Sequence, residues 1–306
     1  MKRLRGVALM LVLWLIIVLG AIAVGVAALT RGEAGIVDNV RTRVAARYAA
    51  ESGIVAATWR LKQLLRAAVT PRDQALVFRR LDRVLADVQQ ETLGATQFQV
   101  TVADLNARID LNAADEPTLL GFFRQFVNAR EAESLVNALE DWKDADDDPR
   151  PHGGEAADYA RAGSPFRPSN RPLQRLDELT RIRGFSDSLA DRTAPFVTVQ
   201  GDGRVNLNTA SVTVLASLPG FDASAAANLV AQREHGTVFT SLADLARRPG
   251  RDFSQLTTMP TRLLFISRGW QVGRPLTHEI QAVYDLDAVR LAQPRLILRF
   301  WREFDR

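Results

Sequence analysis

The stretch VALMLVLWLIIVLGAIAVGVAAL, residues 7–29, decides how this chain is organised. It contains 23 consecutive residues without a charged side chain. At about 1.5 Å of rise per residue, a helix of this length is long enough to cross a hydrocarbon core of roughly 30 Å. The stretch therefore predicts a transmembrane helix.

The charges around this stretch predict its orientation. Lys2, Arg3 and Arg5 precede it, whereas Arg31 and Glu33 follow it and nearly cancel. By the positive-inside rule, the first six residues lie in the cytoplasm and the chain after residue 30 lies on the other side. A cleaved secretory signal peptide is the alternative, but its apolar core is usually only about 7–15 residues long.

Apolar residues continue beyond the membrane stretch at three- and four-residue steps. They are Val37, Val40, Val44, Tyr48, Val55 and Trp59. This spacing is typical of one face of an amphipathic helix, and Pro71 closes the region. We expect one helix from about Val7 to Arg66, embedded in the membrane at its start and packed on a domain at its end.

Strand patterns flank both ends of the soluble part. Residues 96–104 alternate, with Phe98, Val100 and Val102 on one face. Three further candidate strands lie near the C-terminus, with shared faces at Ile266 and Trp270, at His278, Ile280, Ala282, Tyr284 and Leu286, and at Leu296, Leu298 and Phe300. Residues 110 to 260 are helical in pattern, so a helical block stands inside a strand framework.

Composition excludes several classes of function. The absence of cysteine excludes disulfides, thiolate metal sites and cysteine nucleophiles. The three histidines form no pair at zinc-ligand spacing, and a net charge of +4 is too small to argue for nucleic acid. We find no Gly-flanked nucleophilic serine and no phosphate-cradling loop after a strand, so the sequence predicts no enzyme.

An acidic stretch is the one cluster that suggests a site. From Glu140 to Asp158 eight acidic residues face two basic ones, and four of them, at 144, 146, 148 and 155, match the first, third, fifth and twelfth positions of a calcium-binding EF-hand loop. Pro149 stands where that loop needs glycine. A calcium ion with 6–8 oxygen ligands would remove the repulsion among these carboxylates, and magnesium fits less well. A solvated acidic loop is the alternative.

The helical block contains an internal echo. RIDLNAA at 108–114 matches RVNLNTA at 204–210, and each predicts an extended stretch followed by a helix, with Asp115 or Thr209 as N-cap. Gly184 and Gly220 lie in segments that fit helix-hairpin-helix units. A DNA-binding hairpin usually needs a second glycine two residues later, where this chain has Ser186 and Asp222. We interpret both hairpins as packing scaffolds, and a membrane-anchored DNA receptor is the alternative.

The N-terminal features resemble those of type IV pilins and pseudopilins. In that family a short basic leader ends at a glycine, and a hydrophobic helix then continues into a soluble stem. The resemblance implies that a prepilin peptidase cuts between Gly6 and Val7. Most members carry Glu at the fifth mature position, which is Leu11 here. The K-type minor pseudopilin of the type II secretion system is the member that lacks it.

Leu11 has a physical interpretation within this resemblance. A carboxylate inside hydrocarbon is costly unless it is paired, and in this family it pairs with the N-terminal amine of the neighbouring subunit. A subunit at the tip of a fibre has no neighbour above it, so Leu11 suits a cap. The alternative is that Leu11 is one more apolar residue of an anchor helix.

The acidic segment extends the resemblance to the whole chain. The matching residues are Asp141-Trp142, Asp144, Asp146, Pro149-Arg150-Pro151, Gly153-Gly154-Glu155, Tyr159, Phe166-Arg167-Pro168 and Asn170-Arg171-Pro172-Leu173. The family binds calcium in its helical domain. The resemblance therefore implies a calcium site among Asp141, Asp144, Asp146, Asp147, Asp148, Glu155 and Asp158.

The resemblance also implies a fold and its boundaries. We expect an α+β protein whose N-terminal transmembrane and stem helix packs on a small antiparallel pilin-like sheet, with a large all-α insertion of the helix-hairpin-helix or SAM-like kind. The expected segments are a leader at 1–6, a transmembrane helix at 7–29, the stem and first part of the pilin-like domain at 30–109, the insert at 110–260 and the last strands at 261–306.

The implied function is assembly and not catalysis. Such a subunit crosses the inner membrane once, with its main domain in the periplasm, and caps or initiates a pseudopilus for protein export. Its implied partners are I- and J-type minor pseudopilins, the prepilin peptidase, the inner membrane and exported proteins, with no nucleic acid. Besides the DNA receptor, the alternative is an unrelated bitopic protein with an extracytoplasmic binding domain.

Overall fold

The structure, a computed structural model, describes residues 4–243, 254–287 and 294–306, and for residues 4–8 and 27–36 it describes the backbone alone. The helices are α1 (Leu4–Ala67), α2 (Pro71–Arg79), α3 (Leu81–Val84), α4 (Glu116–Phe123), α5 (Ala129–Lys143), α6 (Ala156–Arg161), α7 (Asp187–Thr193), α8 (Val212–Ala216) and α9 (Ala223–Glu234). The strands are β1 (Gln90–Leu93), β2 (Thr96–Asp104), β3 (Ile109–Asp110), β4 (Val197–Thr198), β5 (Val205–Asn206), β6 (Leu256–Thr257), β7 (Arg262–Gln271), β8 (Thr277–Asp287) and β9 (Arg295–Asp305). Short 3₁₀ segments cover Ala86–Val88, Leu105–Ala107, Leu176–Arg181 and Ala194–Phe196.

The long N-terminal helix is confirmed. Helix α1 is continuous from the basic leader to Ala67, and Thr70 caps α2 just before Pro71. Its segment Leu9–Val26 has a mean hydropathy of 3.0 and is not buried against any other described part of the chain. This segment is long and apolar enough to cross a membrane, which fits a single-pass anchor.

The face of α1 that packs on the sheet is not the predicted apolar stripe. The buried face carries small residues first and leucines later: Ala46, Ala49, Ala50, Ala57, Leu61 and Leu65. A Cβ on Gly269 of β7 would collide with the backbone of Ala46 and Ala50, so helix and strand touch backbone to backbone. The stripe from Val37 to Trp59 stays 44–65% exposed. Only small residues permit this close approach, and for that reason the larger apolar side chains lie on another face.

One antiparallel sheet packs on α1, with the strand order β1-β2-β7-β8-β9. Phe98 lies opposite Gly269 and Val100 lies opposite Ser267, and both side chains of β2 point into the core beneath α1. The α+β class and the predicted strands at both ends of the soluble part are confirmed.

One predicted strand face is wrong. Leu298 pairs with Tyr284 but Phe300 pairs with Val283, so Arg299 forms a β-bulge between them. Because successive side chains of a strand alternate, this extra residue places Leu298 and Phe300 on opposite faces of the sheet. Leu296 and Leu298 therefore lie on the α1 side, and Phe300 lies on the other.

The helical region has its own core and consists of two repeats. Strands β3 and β4 pair in parallel in the first repeat, and β5 and β6 do so in the second. The echo noted in the sequence is thus a structural repeat.

Asp115 caps α4 as predicted, whereas the cap of α8 is Ser211 and not Thr209. The hydroxyl of Thr209 instead donates to the buried Asp104.

The helical region lies at the end of the sheet farthest from the membrane segment. Along β7, Gly269 touches α1 at Ala46 and Ala50, and Ser267 touches it further on, at Gly53. The strand therefore runs opposite to the helix, and its first residue, Arg262, lies at the distal end. The helical region leaves the sheet there after β2 and returns there into β7.

Candidate functional site

The acidic loop begins where α5 ends. The helix closes at Lys143 with Asp144 as its C-cap residue. The C-terminus of a helix carries partial negative charge, so carboxylates placed there are unfavourable and cations are favourable. The Lys143 ammonium does not offset Asp144, because it binds the Leu111 carbonyl and the Glu140 carboxylate.

Asp141 lies fully buried under the loop and holds its backbone in place. Its carboxylate accepts from the backbone N–H of Arg150 at 3.1 and 3.2 Å and from that of Gly154 at 2.7 Å. A Cβ on Gly153 would occupy the position of one of its oxygens, so only glycine fits there. Asp141 is thus a positioning residue for the loop.

Asp144, Asp146 and Glu155 come together above it. One carboxylate oxygen from each lies within 4.8 Å of the others. Glu155 is 4% exposed, and within the described residues neither of its oxygens has a hydrogen-bond partner, nor does the buried Oδ1 of Asp144. Burial, followed by the charges of Asp141 and Asp144, raises the pKa of Glu155 to about 7. Burial and the charge of Asp146 likewise raise the pKa of Asp144.

The other predicted carboxylates do not join this cluster. Asp147 accepts a long hydrogen bond from the side chain of Asn170. Asp148 contributes its backbone N–H, which donates to Asp146 Oδ1 at 3.0 Å. Asp158 accepts from the Glu155 backbone and pairs with Arg161, so it caps α6. Three of the seven predicted residues therefore converge.

The three converging carboxylates suit a hard cation. Buried carboxylate oxygens without donors carry a large desolvation cost, which a bound cation would remove. The guanidinium of Arg150 lies 3.9 Å from Asp144 Oδ2, and no ion pair of Glu155 occurs among the described residues. The residues present thus fit a calcium ion, and Asp144, Asp146 and Glu155 are the candidates to hold it.

Sequence reasoning missed the residues that hold the frame around this site. Asn112 and Asn208 occupy the same place in the two repeats, and each ties three backbone groups of its repeat together. Their shared place as the fifth residue of the echo could have identified them, but a polar side chain at such a position is usually expected to be exposed to solvent. Gly153 was recognised only as part of a matching run.

The predicted processing and assembly residues lie in α1. Leu11 is exposed and lies on the apolar segment Leu9–Val26, which is not buried against the rest of the described structure. The backbone of Gly6 and Val7 is helical, and the structure does not describe the side chain of Val7.

Family models match residues 65–257 of the chain. A family described as type II secretion system, protein K, matches residues 65–202, and a helix-hairpin-helix motif family matches residues 200–257. The protein K of Pseudomonas aeruginosa is 30% identical over 149 residues, 45% of this chain and 44% of that protein. The protein K of Klebsiella pneumoniae is 26% identical over 223 residues, 68% of this chain and 67% of that protein.

A solved structure shares the fold. In the GspK-GspI-GspJ complex from enterotoxigenic Escherichia coli, one chain aligns with a TM-score of 0.58 at 18% identity, over 84% of this chain and 99% of that one.

This chain is similar to the protein K family of type II secretion systems. The first curated relatives, such as those of Pseudomonas aeruginosa and of Escherichia coli K12, are aligned over less than half of their own length. The match at 65–202 contains the acidic loop and the first repeat, and the helix-hairpin-helix match contains the second.

The DNA-receptor alternative is not favoured. A hairpin binds phosphate with the free N–H groups at the start of its second helix. Here the Asp222 carboxylate accepts the Ala225 N–H at 2.7 Å and fills that position with a negative charge. Ser186 occupies the equivalent position before α7 by accepting from Leu189.

Proposed function

We propose that this chain is a minor pseudopilin that caps or initiates the tip of a pseudopilus together with I- and J-type minor pseudopilins. The role is one of assembly and not of catalysis. The observation that carries the proposal is the position of the helical region. It lies beyond the membrane-distal end of the stem and sheet, where a further subunit of a fibre would have to stack.

The proposal includes an inner-membrane anchor processed at its leader. A prepilin peptidase would cut between Gly6 and Val7, because the basic leader ends there and the apolar segment begins at once. The main domain would then lie in the periplasm, in reach of exported proteins. Intact-mass analysis of membrane-extracted protein tests this step, and an N-terminus at Met1 or beyond residue 20 would contradict it.

Partners of the I and J type would meet the stem. The similar structure is a complex of GspK with GspI and GspJ, which supports such partners here. The exposed apolar side chains of the stem, from Val37 to Trp59, offer a surface for neighbouring helices. Exposed apolar patches of this kind mark interaction sites.

The tip position is tested at Leu11. A tip subunit has no neighbour above it, so Leu11→Glu should give no gain in pseudopilus number or in secreted protein. The unpaired charge should weaken membrane retention, since it costs roughly 2.5–3.5 kcal/mol on insertion scales. Leu13→Glu, in the same apolar segment, is the matched control and should behave alike. If Leu11→Glu alone entered the fibre body and raised its yield, the tip position would be wrong.

Calcium is the proposed ligand of the acidic loop. Asp144, Asp146 and Glu155 would bind the ion, and Asp141 would keep the loop in the shape that brings them together. The ion would neutralise three clustered carboxylates at the negative end of α5 and so order the loop. Calorimetric titration of the metal-free protein with calcium tests this, and Asp144→Asn with Asp146→Asn should abolish the binding heat.

A further inference from the structure

A cleft of about 570 Å³ lies where the sheet face not covered by α1 meets the helical region. Its floor consists of Leu264, Ile266, Val283 and Phe300. Phe300 reaches this floor because the bulge at Arg299 turns it away from the α1 side. The volume falls in the range typical of ligand sites, about 300–1,000 Å³.

Two arginines that line this cleft lack an acidic partner. Within the described part of the chain, neither Arg108 nor Arg302 pairs with a carboxylate. Arg302 lies over the ring of Phe304, with 5.6 Å between the guanidinium carbon and the ring centroid. Burial lowers the pKa of Arg108, in line with the lack of a carboxylate partner among the described residues.

The other charged groups around the cleft are already paired. Arg175 pairs with Asp177 at 2.6 Å, and Arg306 pairs with the buried Glu279 at 3.2 Å. The two unpaired arginines therefore leave the cleft with net positive charge beside an apolar floor. An incoming carboxylate would form strong charge-assisted hydrogen bonds with them.

Three amide side chains favour a peptide over an acyl chain or a small dicarboxylate as the ligand. Gln174, Gln200 and Gln281 also line the cleft. Gln174 donates one N–H to the Pro172 carbonyl and Gln281 donates one to Glu279, and since an amide has two N–H donors and an acceptor oxygen, each keeps groups that a ligand can use. The N–H and C=O groups of an extended peptide can use them, whereas an acyl chain cannot, and a small dicarboxylate would leave the apolar floor uncovered. We propose that this cleft binds a short extended peptide of a partner protein that carries apolar side chains beside carboxylates. The proposal does not depend on the tip position.

Fluorescence anisotropy of the full chain in lipid nanodiscs tests it. The probe is a fluorescein-labelled peptide, Gly-Leu-Glu-Leu-Glu-Ser, and a second probe carries lysine in place of both glutamates. We expect saturable binding of the first probe and at least tenfold weaker binding of the second. The double variant Arg108→Gln and Arg302→Gln should also weaken binding of the first probe at least tenfold. The matched control, Arg72→Gln with Arg130→Gln, removes the same charge from two exposed arginines outside the cleft and should leave binding unchanged.

Several outcomes would overturn the proposal. They are equal affinity of the cleft and control variants, equal binding of the lysine probe, and displacement of the probe by decanoate but not by unlabelled glutamate peptide. Thermal unfolding of the double variant checks its fold. We expect no loss of melting temperature, because neither substituted arginine forms an ion pair in the described structure.

Discussion

The two repeats of the helical region share one frame and differ in one connection. In the first repeat, residues 144–172 lie between α5 and Leu173, whose backbone N–H donates to Asn112 Oδ1 at 2.9 Å. In the second, only residues 235–238 lie between α9 and Phe239, whose N–H donates to Asn208 Oδ1 at 3.0 Å. The acidic loop is therefore an addition to a frame that also closes without it.

The second repeat forms the same frame without an acidic connector. Its asparagine, its parallel strand pair and its helical hairpin match those of the first repeat, and its short connector carries no acidic residue. The clustered carboxylates of the first repeat thus contribute nothing that the frame requires. Their repulsion and desolvation need another explanation, and a bound cation supplies one.

The largest expected effect tests the shared frame itself. Asn208→Ala removes a side chain that also donates to the Phe239 and Thr258 carbonyls, and Asn112→Ala does the same to Leu173 and Val199. Buried groups left unsatisfied cost about 1–3 kcal/mol each. We expect each variant to lose about 3–5 kcal/mol of unfolding free energy in urea.

Asn137→Ala is the control for both. The Asn137 side chain donates one exposed hydrogen bond, to Pro151, so the loss should stay below about 1 kcal/mol. A loss of the same small size in Asn208→Ala would mean that the asparagines do not hold the frame.

Removal of calcium should destabilise the first repeat and leave the second unchanged. A ligand that binds only the native state at 100 times its Kd stabilises it by about 2.7 kcal/mol, so chelation should lower the melting temperature by several degrees. Hydrogen exchange should speed up around residues 144–155 and stay unchanged around 235–238. Asp144→Asn with Asp146→Asn should abolish the response, whereas Asp191→Asn with Glu234→Gln should keep it, because these exposed residues lie outside the cluster.

The pH dependence of the metal-free protein gives a smaller effect. The pKa of Glu155 is raised to about 7, so between pH 5.5 and 7 the native state holds a proton that the unfolded chain releases. Stability from this group is therefore present at low pH and falls as pH rises, by about 2 kcal/mol over this range. Glu155→Gln should flatten that slope, and calcium should do the same in the wild type.

Asp104 provides the internal reference for this measurement. Burial raises its pKa to about 6, and it lies outside the acidic loop, where Asn206 and Thr209 donate to it. Its contribution is common to the wild type and to Glu155→Gln, so the difference between their pH profiles reports Glu155. Identical pH profiles would show that the pKa of Glu155 is not raised in the native state.

Local patterns in the sequence predicted what depends on local structure. The membrane helix, strand β2 and the Asp115 cap follow from residues that are neighbours along the chain. The bulge at Arg299 depends on pairing with β8, and the packed face of α1 depends on Gly269, far away in the sequence. Neither partner can be read from the segment itself, and both predictions were wrong for that reason.

The sequence likewise predicted one part of the acidic loop and missed another. The candidate carboxylates were evident from composition, and the spacing of 144, 146 and 155 pointed to the three that converge. Spacing also pointed to Asp148, which lies outside the cluster. The Asp148 N–H donates to Asp146 Oδ1 instead, and the close approach of Gly153 to Asp141 fixes the loop just before Glu155.

The smallest expected effect lies at the helix starts of the two repeats. Asp115 accepts from Thr118 at the start of α4, and Ser211 accepts from Val214 at the start of α8. Loss of an N-cap costs typically about 1 kcal/mol. Ser211→Ala should lose about that much. Asp115→Ala should lose somewhat more, because its carboxylate also accepts from Gln255 at 2.7 Å and favours the positive end of the helix.

Thr209→Ala provides a second test at the start of α8, because the Thr209 hydroxyl makes a different contact from that of Ser211. Its hydroxyl donates to the buried Asp104 at 2.6 Å, and burial raises the pKa of that carboxyl to about 6. Loss of the hydroxyl removes a donor that favours the ionised form, so the pKa of Asp104 should rise further. The stability lost in Thr209→Ala should therefore grow as pH rises above 6, whereas the loss in Ser211→Ala should not depend on pH. A loss of stability that does not depend on pH in either variant would mean that Thr209 acts as a helix cap and not through Asp104.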